Sequence, residues 1–222
     1  MKVVSNSAIS LDGKLTTPQN EAISLGSAED LKRMSHLRNW ADAVVVGGKT
    51  FRNWPEAMIP NKDHLEADEY NSKKKLCVIV SRTMDVPLTA SFFCEKTVHP
   101  LFLTIKENVP EDFPCEVIAC ENEITPQWIL EVLESRGAKN ILIEAGGNLL
   151  FQFIHDNMID EMNITLCPKI IGGTTSPSLV AGSGFSAKDI RDLELLQQET
   201  IGSEIFLKYK LKKKLNQSTE NE

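Results

Sequence analysis

VVVGGKTF, residues Val44 to Phe51, ends as a triphosphate-binding loop ends, in Gly-Lys-Thr. The complete loop needs Gly-x-x-x-x-Gly-Lys-Thr, so that a run of backbone N–H groups can wrap the phosphates. The place of the first glycine is held by Ala43, and Val44, Val45, Val46 and Gly47 stand between it and Gly48. Three adjacent β-branched residues make a stiff, buried strand and cannot wrap a phosphate. A triphosphatase is excluded. What remains is a buried strand that ends in two glycines, a cation and a hydroxyl, with a helix to follow. An α/β protein places such a turn at the mouth of a parallel sheet.

The same alternation runs outward in both directions. VVSNSAI, from Val3, reads as a first strand, and SLDGKLTTPQNE after it as a loop of turn residues. Ser27 then stands as the N-cap of a helix over AEDLKRMSHLRNWA, with Asp30 as the capping-box acid and Leu31, Met34, Leu37 and Ala41 on one face. KLCVIVS, FFCE, LFLTI and CEVIA are strand-like. TPQWILEVLESRG is a helix with Thr125 as cap, Pro126 at its first position and Gly137 past its end. NILIE, a helix from GGNLLFQFIHD and the strand DEMNITLCP follow, and LELLQQETI and SEIFLKYKL, joined through Gly202, form a closing antiparallel pair. These elements predict an α/β fold: a central, mostly parallel mixed sheet flanked by helices, with a C-terminal antiparallel hairpin. Residues 1–211 form one domain, and 212–222 hold too little apolar material to pack and are expected to be disordered.

Composition narrows the classes. A chain of 222 residues with 41% hydrophobic and 25% charged residues has ample material for a core. A net charge of −7 argues against nucleic acid or an anionic membrane as the main partner. No apolar run approaches the roughly 20 residues that cross a bilayer, and no signal peptide is evident. Five cysteines, Cys77, Cys94, Cys115, Cys120 and Cys167, lie mostly in apolar, strand-like segments and read as buried reduced thiols of a cytoplasmic protein. A zinc deaminase is excluded because HLE at His64 and PCEVIAC at Pro114 have the wrong cysteine spacing. No metal site is expected.

Three strand ends carry chemistry. In ISLDGKL, Asp12 follows a buried strand, although Asp-Gly alone reads equally as a turn. In VGGKTF, Gly47 and Gly48 admit close approach of a ligand, with Lys49 and Thr50 at a helix start suited to phosphate. In IEAGGNLL, Glu144 ends an apolar strand, and Gly146 and Gly147 bring a helix N-terminus toward a ligand. The Gly-x-Gly-x-x-Gly dinucleotide fingerprint is absent.

In this order SLDGK, DAVVVGGKT, LIEAGGNLL and IDEMNITLCPKIIGG resemble the reductase domain of riboflavin biosynthesis, over Val4 to Gly173. That family has the dihydrofolate reductase fold. The resemblance implies an NADPH-dependent reductase, commonly homodimeric, acting on a small phosphorylated aminopyrimidine-ribose substrate by hydride transfer to a C=N or C=O carbon. By position it implies that Gly47, Gly48, Lys49 and Thr50 meet cofactor phosphate. Gly146, Gly147, Asn148 and Leu149 would lie against the pyrophosphate, and Ala8 and Ile9 beside the nicotinamide. Ser81 and Arg82 would receive the 2′-phosphate, and Arg forks onto phosphate oxygens, which favours NADPH over NADH. Asp12 and Glu144 would face the substrate, Asp12 as the first candidate to assist hydride acceptance and Glu144 as orienter.

One segment departs from the family. After its Gly-x-x-T element the family shows Asp-Asp-Pro, then Leu-Thr and an arginine; this chain reads FRNWPEAMIPN, with Asn53-Trp54 in place of the acidic pair. Lys14, Arg52 and Arg38 are the candidate substitutes for the missing arginine, and Trp54 either stacks on a flat substrate or packs under its loop. Two alternatives stay open: a reductase of another small heterocycle or pterin, and a non-catalytic NADPH-binding relative. A dihydrofolate site would put an acid on the first helix, where Glu29 and Asp30 lie too near the start.

Overall fold

Val44, Val45 and Val46 are buried, as three adjacent β-branched residues are in a strand covered on both faces. The structure is a computed structural model and describes residues 1–56, 58–105, 109–110 and 112–212. Its strands are β1 (Lys2–Ser10), β2 (Ala43–Gly47), β3 (Lys75–Val80), β4 (Val98–Ile105), β5 (Glu116–Cys120), β6 (Asn140–Ile143), β7 (Glu161–Cys167), β8 (Leu193–Ile201) and β9 (Glu204–Leu211). Its α-helices are α1 (Ala28–Trp40), α2 (Gly48–Asn53), α3 (Pro126–Ser135) and α4 (Gly147–His155).

The described residues form one nine-stranded sheet in the order β5-β4-β3-β2-β6-β1-β7-β9-β8. Every pair from β5 to β7 is parallel. The two pairs that include β9 are antiparallel. The expected mixed sheet with a terminal hairpin is therefore present. Successive strand residues serve opposite faces. Val45, Val78, Leu101 and Ile143 pack with Ile129, Leu133 and Phe153 of α3 and α4. Val44, Val46, Ile79 and Phe102 pack on the other side with Phe51, Met58 and Phe92.

Local signals gave most boundaries. The Thr125 hydroxyl accepts from the Trp128 N–H at 3.2 Å, with Pro126 at the first helical position. Gly137 closes α3 at φ +78°, a conformation that costs glycine nothing. Four readings are corrected. FFCE is a 3-10 helix, Ser91–Cys94, because Phe92 turns inward onto Phe51, with ring centroids 5.0 Å apart. Cys94 is accordingly exposed, not buried. Leu31 is 38% exposed, and α1 buries Asp30 and Ser35 instead. Asp30 does not close a capping box, since the Ser27 N–H and hydroxyl both donate to Glu204, at 2.8 and 2.6 Å. Of the tail expected to be disordered, Lys212 donates its backbone N–H to Asp192, and 213–222 lie outside the described residues.

Candidate active site

β6 has only four residues, and its neighbours outrun it. β1 stays paired with it up to Ser5↔Ile143, and β2 up to Val45↔Ile143. Beyond that level Asn6, Ser7 and Ala8 face Val46 and Gly47 across a gap. Glu144, Ala145 and Gly146 leave β6 through it. A parallel sheet binds ligands at such a crevice, outside the carboxyl ends of its strands. A cavity of about 290 Å³ occupies it, floored by Asn6, Ser7, Ala8 and Glu144. The loop after β1 covers it with Leu15, Thr16, Asn20, Glu21 and Ile23, and α1 adds Asp30 and Met34.

Glu144 is held by a fork. Arg38 Nε donates to both carboxylate oxygens at 3.1 Å, and its Nη2 donates to Oε2 at 2.8 Å. Arg38 Nη1 also donates to the Ile59 carbonyl. Side-chain exposures of 19% and 11% put this pair largely out of water. Burial works against the Arg38 charge, but the Glu144 charge and hydrogen bonds outweigh it and hold the guanidinium protonated. Arg38, a candidate substitute for the family's arginine, is thus engaged with Glu144 and the Ile59 carbonyl.

Asp30 has no such counter-ion: among the described residues it makes no ion pair. Burial raises its pKa against a hydrogen bond from Thr165, and the charges of Glu204 and Glu144 raise it further. Gly26 leaves it room, since a Cβ there would strike the Asp30 carboxylate.

Two glycine turns meet at the rim. A Cβ on Gly47 would reach no atom within 4 Å, and one on Gly146 would find Thr50 Oγ1 at 3.8 Å. Neither helix start is capped by a side chain. Gly146 of one turn, and Thr50 and the exposed Lys49 following the other, therefore edge one cavity, which Gly47, Gly48 and Gly147 do not line. Gly48 and Gly147 have a different reason to be glycine. A Cβ on Gly48 would lie 2.5 Å from Ser81 Oγ, and one on Gly147 would collide with the Ser178 carbonyl.

A family model for the RibD C-terminal domain matches residues 1–207. The chain belongs to the RibD C-terminal domain family. Among relatives, it is 29% identical over 193 residues to the 2,5-diamino-6-ribosylamino-4(3H)-pyrimidinone 5′-phosphate reductase of Archaeoglobus fulgidus, covering 82% of this chain and 87% of that one. The fold matches a pyrimidine reductase-like protein from Corynebacterium diphtheriae with a TM-score of 0.80 at 23% identity, over 96% and 92% of the two chains. It also matches the Thermotoga maritima diaminohydroxyphosphoribosylaminopyrimidine deaminase/5-amino-6-(5-phosphoribosylamino)uracil reductase, with a TM-score of 0.75 at 19% identity, over 95% of this chain and 56% of that one. The architecture is that of RibD reductase domains, a dihydrofolate reductase-like fold.

Within this RibD C-terminal domain, the residues expected at the site divide. Ala8, Lys49, Thr50, Trp54, Glu144 and Gly146 line the cavity. Asp12 does not. It accepts from the Ser10 hydroxyl at 2.7 Å and from the backbone N–H groups of Ile171 and Gly172 at 3.1 and 2.7 Å. Those bonds hold its carboxyl at about 2, so at neutral pH it has no proton to give and serves to tie the β1 and β7 loops together. Ile9 points into the core, and Lys14 bridges to Ser178 through its backbone. Arg52 donates to the Asp85 carbonyl at 2.7 Å. Asn148 Oδ1 accepts from the Gly182 N–H, and Leu149 packs against the core. Ser81 lies against Gly48, and Arg82 is exposed just past β3.

Asn53-Trp54, where the family's acidic pair was expected, is part of the cavity. Asn53 Nδ2 donates to the Asn20 carbonyl at 2.9 Å and so pins the covering loop. Trp54 stays 47% exposed, its ring open to the cavity. Sequence reasoning missed Asn6 and Asn20. Asp30, set aside there as lying too near the start of the first helix to be a site acid, lines the cavity.

Proposed function

We propose that this chain reduces a ribosylaminopyrimidine phosphate with NADPH. One observation carries the reading: a single cavity joins Gly146, Lys49 and Thr50, at two uncapped helix starts, to the carboxylates of Glu144 and Asp30. The first group suits a dinucleotide pyrophosphate, which is bound by backbone N–H groups and a cation. The second suits a heterocycle bearing amino groups. Asn20 Oδ1, shielded from solvent and without a hydrogen-bond partner, offers a further acceptor.

When bound, the nicotinamide supplies the hydride to the C=N or C=O carbon of the opened ribosylamine. The chain's own residues do the rest. Arg38 fixes Glu144, which orients the substrate's N–H or O–H groups. Trp54 presents a ring face at the mouth, and Asn53 keeps the loop over the cavity so that water is excluded. Ala8 leaves the β1 backbone accessible, and Arg82 is assigned to the 2′-phosphate. The Archaeoglobus relative's name states a substrate of this chemistry.

A homodimer in the cytoplasm belongs to the same proposal. Leu193, Leu195 and Leu196 are exposed along the outer hairpin strand, with Ile190 just before it, and give an apolar edge for a second copy. Five free cysteines accord with a reducing compartment. No helix among the described residues is long and apolar enough to cross a membrane.

Titration of tryptophan fluorescence with NADPH and NADH, on the wild type and Arg82→Ala, tests the cofactor. The expected result is tighter NADPH than NADH, with roughly tenfold selective loss of NADPH in the variant, a charge-assisted contact of about 1.5 kcal/mol. Absence of binding by either nucleotide overturns the reading. Asp30 on α1 supplies the acid that a pterin reductase needs, so dihydrofolate belongs beside the ribosylaminopyrimidine in the NADPH-oxidation assay.

A further inference from the structure

SKKKL, Ser72 to Leu76, brings three consecutive lysines to the start of β3. A charge run at a strand entry is ordinarily a solvated face, and Lys73 and Lys74 are exposed. Lys75 is only 3% exposed. Strand alternation puts it on the side of the sheet that Cys77 and Ile79 serve, where Leu37 and Trp40 of α1 pack. Burying an ammonium is costly, and burial lowers the Lys75 pKa from the usual lysine value, against the charge of Asp42. The partners of Lys75 are two carbonyls: its Nζ donates to the Ala41 and Asn39 oxygens at 2.7 and 2.9 Å.

Those carbonyls close α1. The last C=O groups of a helix find no N–H in their own helix, and the helix dipole gathers negative charge there. A left-handed glycine commonly meets that need. α1 has none: the chain runs from Ala41, already extended at φ −71° and ψ 144°, into β2 at Ala43. Lys75 supplies the cap from a strand instead, 34 and 36 positions away. Arg38 is the residue before Asn39, in the last turn of α1, and its guanidinium forks onto Glu144. The seat of that last turn therefore sets where the fork closes, and a shift on the order of 1 Å at such a contact weakens what it orients. Lys49, Thr50 and Gly146 stand at the starts of α2 and α4 and do not depend on this turn.

We propose that Lys75 is a positioning residue of this site: its ammonium caps α1 and so holds Arg38 where it keeps the Glu144 carboxylate aimed at the substrate. The inference rests on the reductase reading above and adds to it a residue that touches neither substrate nor cofactor. Loss of the ammonium frees Arg38 and Glu144, weakens the substrate and spares NADPH.

The test compares Lys75→Met, an unbranched side chain without donors, with two controls. Lys74→Met removes the neighbouring exposed charge, and Leu133→Ala lowers stability from the opposite face of the sheet. In steady-state NADPH oxidation with a ribosylaminopyrimidine phosphate, Lys75→Met is expected to raise the substrate KM about tenfold, the worth of one charge-assisted hydrogen bond. Its kcat is expected to stay within about threefold, and NADPH affinity in the fluorescence titration to be unchanged. Both controls keep the wild-type KM. The second readout needs no substrate. The Arg38 Nε–H resonance, assigned by its loss in Arg38→Lys, is protected from solvent exchange by the Glu144 fork. Its exchange is expected to be about tenfold faster in Lys75→Met and unchanged in both controls. If Lys75→Met does not fold, Lys75→Gln takes its place: its amide stands on a shorter stem and is expected to shift both readouts the same way by about threefold. Wild-type exchange in the folded Lys75 variant, an unchanged KM in an active enzyme, a loss of NADPH affinity in place of substrate, or an equal rise of KM in Leu133→Ala overturns the proposal. A wild type that reduces no ribosylaminopyrimidine phosphate overturns the reductase reading alone, and the exchange measurement then decides whether Lys75 holds the fork.

Discussion

Arg38 and Glu144 show how a single pair fixes the chemistry of the site. Their buried fork leaves the carboxylate in one orientation, and removing the cation leaves an uncompensated charge in the cavity wall. Arg38→Ala is therefore expected to cost about 3 kcal/mol in denaturant unfolding, with Glu144→Gln in the same background recovering part of it. No recovery would mean that the loss comes from α1 packing instead. Asp30 works in the opposite direction. Its native pKa is raised, so the native state holds this proton more tightly than the unfolded chain, whose value is near 3.8. Asp30 weighs nothing against the fold below that pH, and its ionisation penalises the fold as pH rises through the native value. Asp30→Asn should therefore melt higher than the wild type at neutral pH, with the two curves converging below pH 4. A gap that persists in acid would point to repacking. Asp12 is held low, at about 2. Its contribution is complete above 3.8 and disappears as pH falls toward 2, outside the range in which an enzyme of this class is assayed.

At the scale of elements, two pairs of glycines look alike in sequence and do different work. Gly48 and Gly147 are packing positions: α2 seats against Ser81, and α4 against the Ser178 backbone. Gly47 and Gly146 are open positions, and Gly146 lines the cavity. Gly147→Ala should destabilise by about 1–3 kcal/mol through overpacking against backbone that cannot rotate away. Gly47→Ala should leave thermal stability within about 0.5 kcal/mol while weakening NADPH in the fluorescence titration. If both variants lose stability and neither loses affinity, the phosphate assignment of these turns is wrong. α1 illustrates the reverse case. Its apolar spacing suggested a face through Leu31, but the residues it buries include Asp30 and Ser35, because one side of the helix borders a polar cavity. The cap of α1 likewise depends on a partner 177 positions away, Glu204, through the Ser27 N–H and hydroxyl.

At the scale of the molecule, that contact ties the C-terminal hairpin to the helix that lines the site. Glu204→Ala removes the acceptor of two Ser27 hydrogen bonds, and should cost about 1 kcal/mol and raise KM more than it lowers kcat. A fall in kcat alone would separate the hairpin from substrate positioning. The sequence by itself determined the order and type of nearly all the elements and the two glycine turns. Those features follow from short-range rules: β-branched runs, caps, and residues that admit tight turns. It also located Glu144 at the end of a strand. Tertiary structure alone decided which carboxylates serve the cavity. Asp12 is withdrawn by amides from the loop after β7, Glu144 is oriented by an arginine 106 positions away, and Asp30 is turned inward where β6 stops short. Hydrogen bonding and burial set the charge and direction of each group, and both are properties of the assembled sheet that no local window of the chain contains.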